Sequence, residues 1–129
     1  MTEPDMPMMR LARDEREVYR ARDWLTEVLD VHGLEADRLE MALVAASELV
    51  TNAIVHADSE PVIAVKVQGP QVKVEVHDDS PEEPLVRQSH GDVRIGGNGM
   101  RIVSAWADDW GVEQIPGDGK IVWFAMRRW

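Results

Sequence analysis

The apolar residues of the chain are densest between about Asp37 and Ala57. There Leu39, Met41, Ala42, Leu43, Val44, Ala45, Ala46, Leu49, Val50, Ala53, Ile54 and Val55 cover almost the whole circumference of a helix. A helix apolar nearly all round belongs inside a domain. Upstream, Val18, Ala21, Trp24, Leu25, Val28 and Leu29 recur at helical spacing, which predicts an amphipathic helix from about Asp14 to His32, closed by Gly33. Downstream the period falls from about 3.6 residues to about 2. Val62–Gln68 and Val72–Asp78 read as strands joined by a turn at Gly69-Pro70-Gln71.

The stretch from Asp79 to about Asn98 has no clear period and contains Pro81, Pro84, Gly91, Gly96 and Gly97. A connection of this length is read as a lid over a site or as disorder. After Gly96-Gly97-Asn98-Gly99, the residues Met100, Ile102, Val103 and Trp106 return to helical spacing. Trp110–Ile115 and Ile121–Met126 then make a second hairpin around Pro116-Gly117-Asp118-Gly119, and Trp106, Trp110, Trp123 and Phe124 read as core residues. Residues 1–12 are expected to be a flexible tail or an edge strand near Met8 to Ala12, with one domain over 13–129. The order of elements predicts an α/β (α+β) two-layer sandwich, a mostly antiparallel mixed sheet covered on one face by helices.

Polar residues interrupt this pattern at three stations. At about 100° per residue, Glu48, Asn52 and His56 rise one turn apart along a single strip of the buried helix. A carboxylate and an amide left unpaired in an apolar interior cost on the order of 1–3 kcal/mol per neutral group, and more for a charge. A ligand would satisfy them; so would an arginine beside Glu48 or a loop capped by Asn52, and the helix alone leaves these readings open. In the second strand, Val72, Val74 and Val76 share one face, and continuing the alternation places Asp78 on it. Asp78 is then a candidate ligand group, or a turn-initiating aspartate before Ser80-Pro81. Third, the glycine run at 96–99 before a helix offers free backbone N–H groups to an anion, or plain flexibility.

Charge and composition narrow the function. The formal net charge of −10 argues against direct, sequence-independent nucleic-acid binding, and requires any nucleotide site to bring its own positive field. The absence of cysteine excludes disulfides, thiolate metal sites and cysteine nucleophiles. No run approaches the roughly 18 apolar residues of a membrane span and no apolar stretch opens the chain, so no membrane association and a cytoplasmic location are expected.

At these residues the chain resembles a known superfamily. Glu48-Leu49-Val50-Thr51-Asn52-Ala53-Ile54-Val55-His56-Ala57 is similar to the N-box of the ATPases shared by gyrase, heat-shock chaperones, mismatch-repair proteins and histidine kinases. Asp78-Asp79-Ser80 resembles its first glycine box and Gly97-Asn98-Gly99-Met100 its second. The run from Gly99 to Gly111 and the closing Gly119-Lys120-Ile121-Val122-Trp123 look most like the stand-alone anti-sigma-factor serine kinases of actinobacteria. The resemblance covers the chain from about Asp14 onward.

The resemblance implies a Bergerat-type fold binding ATP and Mg²⁺, and a protein serine/threonine kinase that switches between a sigma factor and a STAS-type anti-sigma antagonist. Its class alternative is a nucleotide-gated, non-catalytic binding module. Asn52 would give Mg²⁺ an oxygen, and Glu48 would orient or deprotonate the attacking group. Asp78, with Ser80, would take the adenine amine, so that guanine is disfavoured. Gly97, Asn98, Gly99 and Met100 would hold phosphates, and Arg94 or Arg101 would reach a phosphate or a partner. His56 is read as structural. A homodimer through a sheet edge or the first helix is also implied. Two positions depart from the pattern: Ser80-Pro81 where a glycine is usual, and Ile121 where a threonine often helps hold the base.

Overall fold

The computed structural model describes residues 6–56, 59–80 and 95–129, with side chains at all of these except 56 and 95–100. The expected lid falls mostly on 81–94, so it and Arg94 lie outside the described residues, as does the His56 side chain. Five strands form one sheet: β1 (Met8–Arg10), β2 (Val62–Gln68), β3 (Gln71–Asp78), β4 (Asp109–Gln114) and β5 (Lys120–Arg127), in the order β1-β2-β3-β5-β4. Every pairing among the described residues is antiparallel, in keeping with the mostly antiparallel sheet that the sequence predicts. Helices α1 (Glu17–Val31), α2 (Ala36–Thr51) and α3 (Ile95–Trp106) form the second layer of this α+β sandwich.

Alternation decides which side of the sheet the helices cover. Ile63 and Val65 of β2, Val72, Val74 and Val76 of β3, and Val122, Phe124 and Met126 of β5 are buried together with Leu25 and Leu29 of α1 and Ala42, Ala45, Ala46, Leu49 and Val50 of α2. Leu11, just past β1, is fully buried in the same core, so the chain before residue 13 contributes packing as well as an edge strand.

The α1 stripe Ala21, Leu25, Leu29 repeats every four residues and faces inward. The helix ends in a Schellman motif, in which Leu34 N–H donates to the Leu29 carbonyl and Gly33 N–H to that of Asp30, with Gly33 at φ +86°. Arg128 then ties this corner to the sheet. Its guanidinium donates to the carbonyls of His32 and Gly69, while its own carbonyl accepts from Glu35 N–H at the start of α2.

Three expectations change here. The buried helix is not one α-helix to Ala57, because α2 gives way at Asn52 to a π-helical turn, Asn52–His56. The run Gly96-Gly97-Asn98-Gly99, expected as a loop, is already helical, since α3 begins at Ile95. Among the tryptophans expected in the core, Trp110 packs against it from β4, but Trp106 is 40% exposed and Trp123 lies on the outer sheet face under Lys73, whose Nζ is 4.5 Å from the ring centroid. Register explains the last: Trp123 pairs with Glu75 and Gly111, out of phase with Phe124.

Candidate functional site

Glu48 and Asn52 leave the last turn of α2. The Asn52 backbone N–H donates to the carbonyls of both Glu48 and Leu49, a shared bond of α and 3₁₀ spacing that closes α2 just before the π turn. Single π turns inside helices frequently mark functional sites, because the wider ring re-aims the side chains that follow. Here the turn touches both α3 and β3. It also lies at the Asp78 end of the sheet, since Val62, six residues beyond His56, pairs with His77.

The Asn52 amide is the strongest local signal. Both Oδ1 and Nδ2 are buried, and neither has a hydrogen-bond partner among the described residues. Groups left in this state cost about 1–3 kcal/mol each, so the position favours a ligand that supplies partners. Oδ1 is a neutral, hard oxygen of the kind Mg²⁺ accepts. Among the described residues no group of three or more His, Asp or Glu side chains is placed to hold a metal by itself. An ion here would therefore take most of its oxygens from phosphates and water, as Mg²⁺ commonly does.

Glu48 is half-buried, and burial raises its carboxyl above the usual carboxylate range. It lines a groove of about 630 Å³ along the α1–α2 seam, together with Glu15, Arg16, Tyr19, Arg22 and Thr51. Arg22 does not pair with it: Nη1 donates to Ser47 Oγ at 3.2 Å, and Nη2 lies 3.8 Å from Glu40. Glu48 thus lines the groove without an ion pair to Arg22.

Asp78 lies on the helix-facing side of β3, as its alternation with Val76 predicts, and is 4% exposed. Its Oδ1 accepts from Ser80 N–H at 2.8 Å, so the aspartate does organise the turn that follows the strand. The same oxygen accepts from Lys120 Nζ at 3.0 Å, and Nζ reaches the Ser80 carbonyl at 3.3 Å. Sequence reasoning missed Lys120, a buried lysine directly opposite Asp78 in the β3–β5 ladder. The signal is present in the sequence: Lys120 is in phase with Val122 and Phe124, one residue before the expected start of the strand at Ile121. Ile121, singled out for the base pocket, pairs with His77 and lies on the other face.

The glycine run takes up the first turn and a half of α3. Only the N-cap and the first three helical residues of an α-helix have N–H groups without a partner within it, so Gly96 and Gly97 still offer donors, whereas the Asn98 and Gly99 N–H groups fall within the ladder. Met100 is one residue further along the same helix, and Arg101 is exposed on it. Sequence reasoning also passed over Ser59, whose buried Oγ has no hydrogen-bond partner among the described residues.

Residues 11–126 match the family described as histidine kinase-like ATPase domain. Among solved structures, the chain is similar to the crystal structure of the RsbU and RsbW domains of Rv1364c from Mycobacterium tuberculosis, with a TM-score of 0.71 at 18% identity. That match covers 95% of this chain and 31% of the other, so the chain spans about a third of the protein it resembles and the likeness is one of fold. A search of curated proteins finds no match.

Proposed function

This chain belongs to the histidine kinase-like ATPase family, and we propose that within it the protein binds Mg-ATP and phosphorylates a serine or threonine on an anti-sigma antagonist of the STAS type, releasing or capturing a sigma factor in exchange. The observation that carries the nucleotide reading is the Asn52 amide, buried without a partner on a π turn that touches both β3 and α3. In this reading Asn52 Oδ1 would hold Mg²⁺, Asp78 would meet the base, and the Gly97 N–H would meet phosphate at the start of α3. The bound ion supplies positive charge at the phosphates, which a chain of net charge −10 otherwise lacks.

Glu48 performs the proton chemistry. The incoming hydroxyl oxygen forms a bond to the γ-phosphorus as the bond to the ADP oxygen breaks, and Glu48 takes the hydroxyl proton. A carboxylate raised by burial is a better base near neutral pH than an ordinary one. Its place in an open groove between α1 and α2 suits a protein substrate. The test is transfer of the γ-phosphate from ATP to a purified STAS-type antagonist by wild type and by Glu48→Ala. Transfer by wild type and a loss of at least about 10²-fold in the variant supports the reading. Transfer undiminished in Glu48→Ala removes the mechanism, and nucleotide binding without any transfer favours the non-catalytic binding module.

A further inference from the structure

We propose that Lys120 is the second half of the base-recognition site, and that Asp78 and Lys120 together form an acceptor–donor pair that admits 6-oxo purine nucleotides as well as ATP. The inference rests on the reading of Asp78 as the group that meets the base.

Three observations carry it. Asp78 and Lys120 are 4% and 5% exposed, on adjacent strands and in direct register, so the β3–β5 ladder fixes the pair. Asp78 Oδ1 already accepts two hydrogen bonds, from Ser80 N–H and Lys120 Nζ, which leaves Oδ2 as the oxygen assigned to the base. An ammonium has three N–H donors, and two of those on Lys120 go to Asp78 Oδ1 and the Ser80 carbonyl. The third is the donor assigned to the base. Gly119 allows the ladder no slack here, because a Cβ on it would run into the Asp78 carbonyl oxygen.

The chemistry follows from the edge of the purine. Adenine presents a donor at N6 beside an acceptor at N1, which suits a carboxylate oxygen and an ammonium in turn. Hypoxanthine and guanine present an acceptor at O6 beside a donor at N1. A lone carboxylate opposes O6 with a second acceptor and leaves it unsatisfied, the arrangement that underlies strong selection for adenine. With an ammonium 3.0 Å from the carboxylate, O6 accepts a hydrogen bond from Lys120 Nζ while N1–H donates to Asp78, and the acceptor–acceptor conflict is gone. The flexible lysine stem lets the one donor serve either position.

The experiment is calorimetric titration of Mg-ATP and Mg-ITP, which differ only on this edge of the base, into the full chain and into Lys120→Met, with Mg-GTP as a second 6-oxo nucleotide. We expect the wild-type Kd values for ATP and ITP to agree within about tenfold, where a carboxylate alone would separate them by about a hundredfold or more. In Lys120→Met the ITP-to-ATP ratio of Kd values should rise by about tenfold or more. Wild-type selection for ATP beyond tenfold overturns the proposal and leaves the nucleotide site standing. So does an unchanged ratio in a Lys120→Met variant whose circular dichroism matches wild type. If that variant does not fold, the wild-type ratio decides alone. Failure of the wild type to bind any of the three nucleotides removes the nucleotide reading and this inference with it.

Discussion

The backbone N–H of Asn52 donates to the carbonyl of Glu48, so the residue assigned to the metal and the residue assigned to the proton are fixed one turn apart on one backbone. Beyond that bond the helix widens to π spacing, and the Asn52 amide is left buried with neither atom paired among the described residues. An arrangement that is unfavourable in the free protein and favourable with a ligand makes separate predictions for stability and for binding.

Asn52→Leu should stabilise the nucleotide-free protein while abolishing its response to Mg-ATP. The substitution replaces an unpaired buried amide by an apolar group of similar size, and we expect a gain of about 1 kcal/mol, within the range for an unsatisfied polar group. Urea denaturation with and without Mg-ATP measures both effects. A variant less stable than wild type without nucleotide would mean that the amide is satisfied in the free protein.

Glu48 predicts a pH dependence whose sign follows from burial. Its carboxyl is raised above the ordinary 4.5, so the folded protein holds the proton more tightly than the unfolded chain does. Stability should therefore fall as pH rises from 4.5 through the raised value, and Glu48→Gln should flatten that limb. Asp14 acts oppositely. The Arg16 side-chain hydrogen bonds hold it at about 2, so its contribution is present above 3.8 and disappears as pH falls through about 2. Unfolding midpoints measured across the acid range in wild type, Glu48→Gln and Asp14→Asn separate the two limbs.

Lys120→Met leaves the Asp78 carboxylate buried with its cationic partner removed, which typically costs about 3–5 kcal/mol. Adding Asp78→Leu should restore most of that loss, because replacing a whole buried pair by apolar residues is far milder than breaking it. A double-mutant cycle in urea reads the coupling directly. Additive losses would show that the pair is not energetically coupled.

Gly119→Ala should destabilise the protein by at least about 2 kcal/mol. Its φ is +85°, where an L side chain is strained, and a Cβ would meet the Asp78 carbonyl oxygen and lie 2.7 Å from Asp79 Cα. Gly69→Ala shares the positive φ, but a Cβ there would have nothing within 4 Å, so it should cost clearly less. The difference between their thermal midpoints isolates the close approach of the β4–β5 turn to Asp78.

Much of this architecture was legible because side-chain periodicity reports burial. The helix around Leu25 and Leu29 and the hairpin of Val65 and Val74 follow from the spacing of their apolar residues, and the same spacing sets Glu48 and Asn52 one turn apart on a single strip. The π turn was not legible, since a change in hydrogen-bond ladder at Asn52 leaves no mark in the order of apolar residues. The helical start at Ile95 was hidden for a related reason: glycines at 96, 97 and 99 suggest a loop by propensity, and that weak preference did not decide the backbone. Lys120 was overlooked because a lysine at a strand end is ordinarily solvated, and only the register opposite Asp78 makes it a buried partner. Trp123 reads as core in a strand apolar on both faces, whereas the pleat carries it to the outer face beside Lys73.

The central claim is that Asn52 completes a Mg-nucleotide site, and calorimetric titration of ATP with and without Mg²⁺ into wild type and Asn52→Ala tests it most directly. The account predicts binding that requires Mg²⁺ and weakens at least about tenfold in the variant. Equal binding by the two proteins, or none by the wild type, would contradict it.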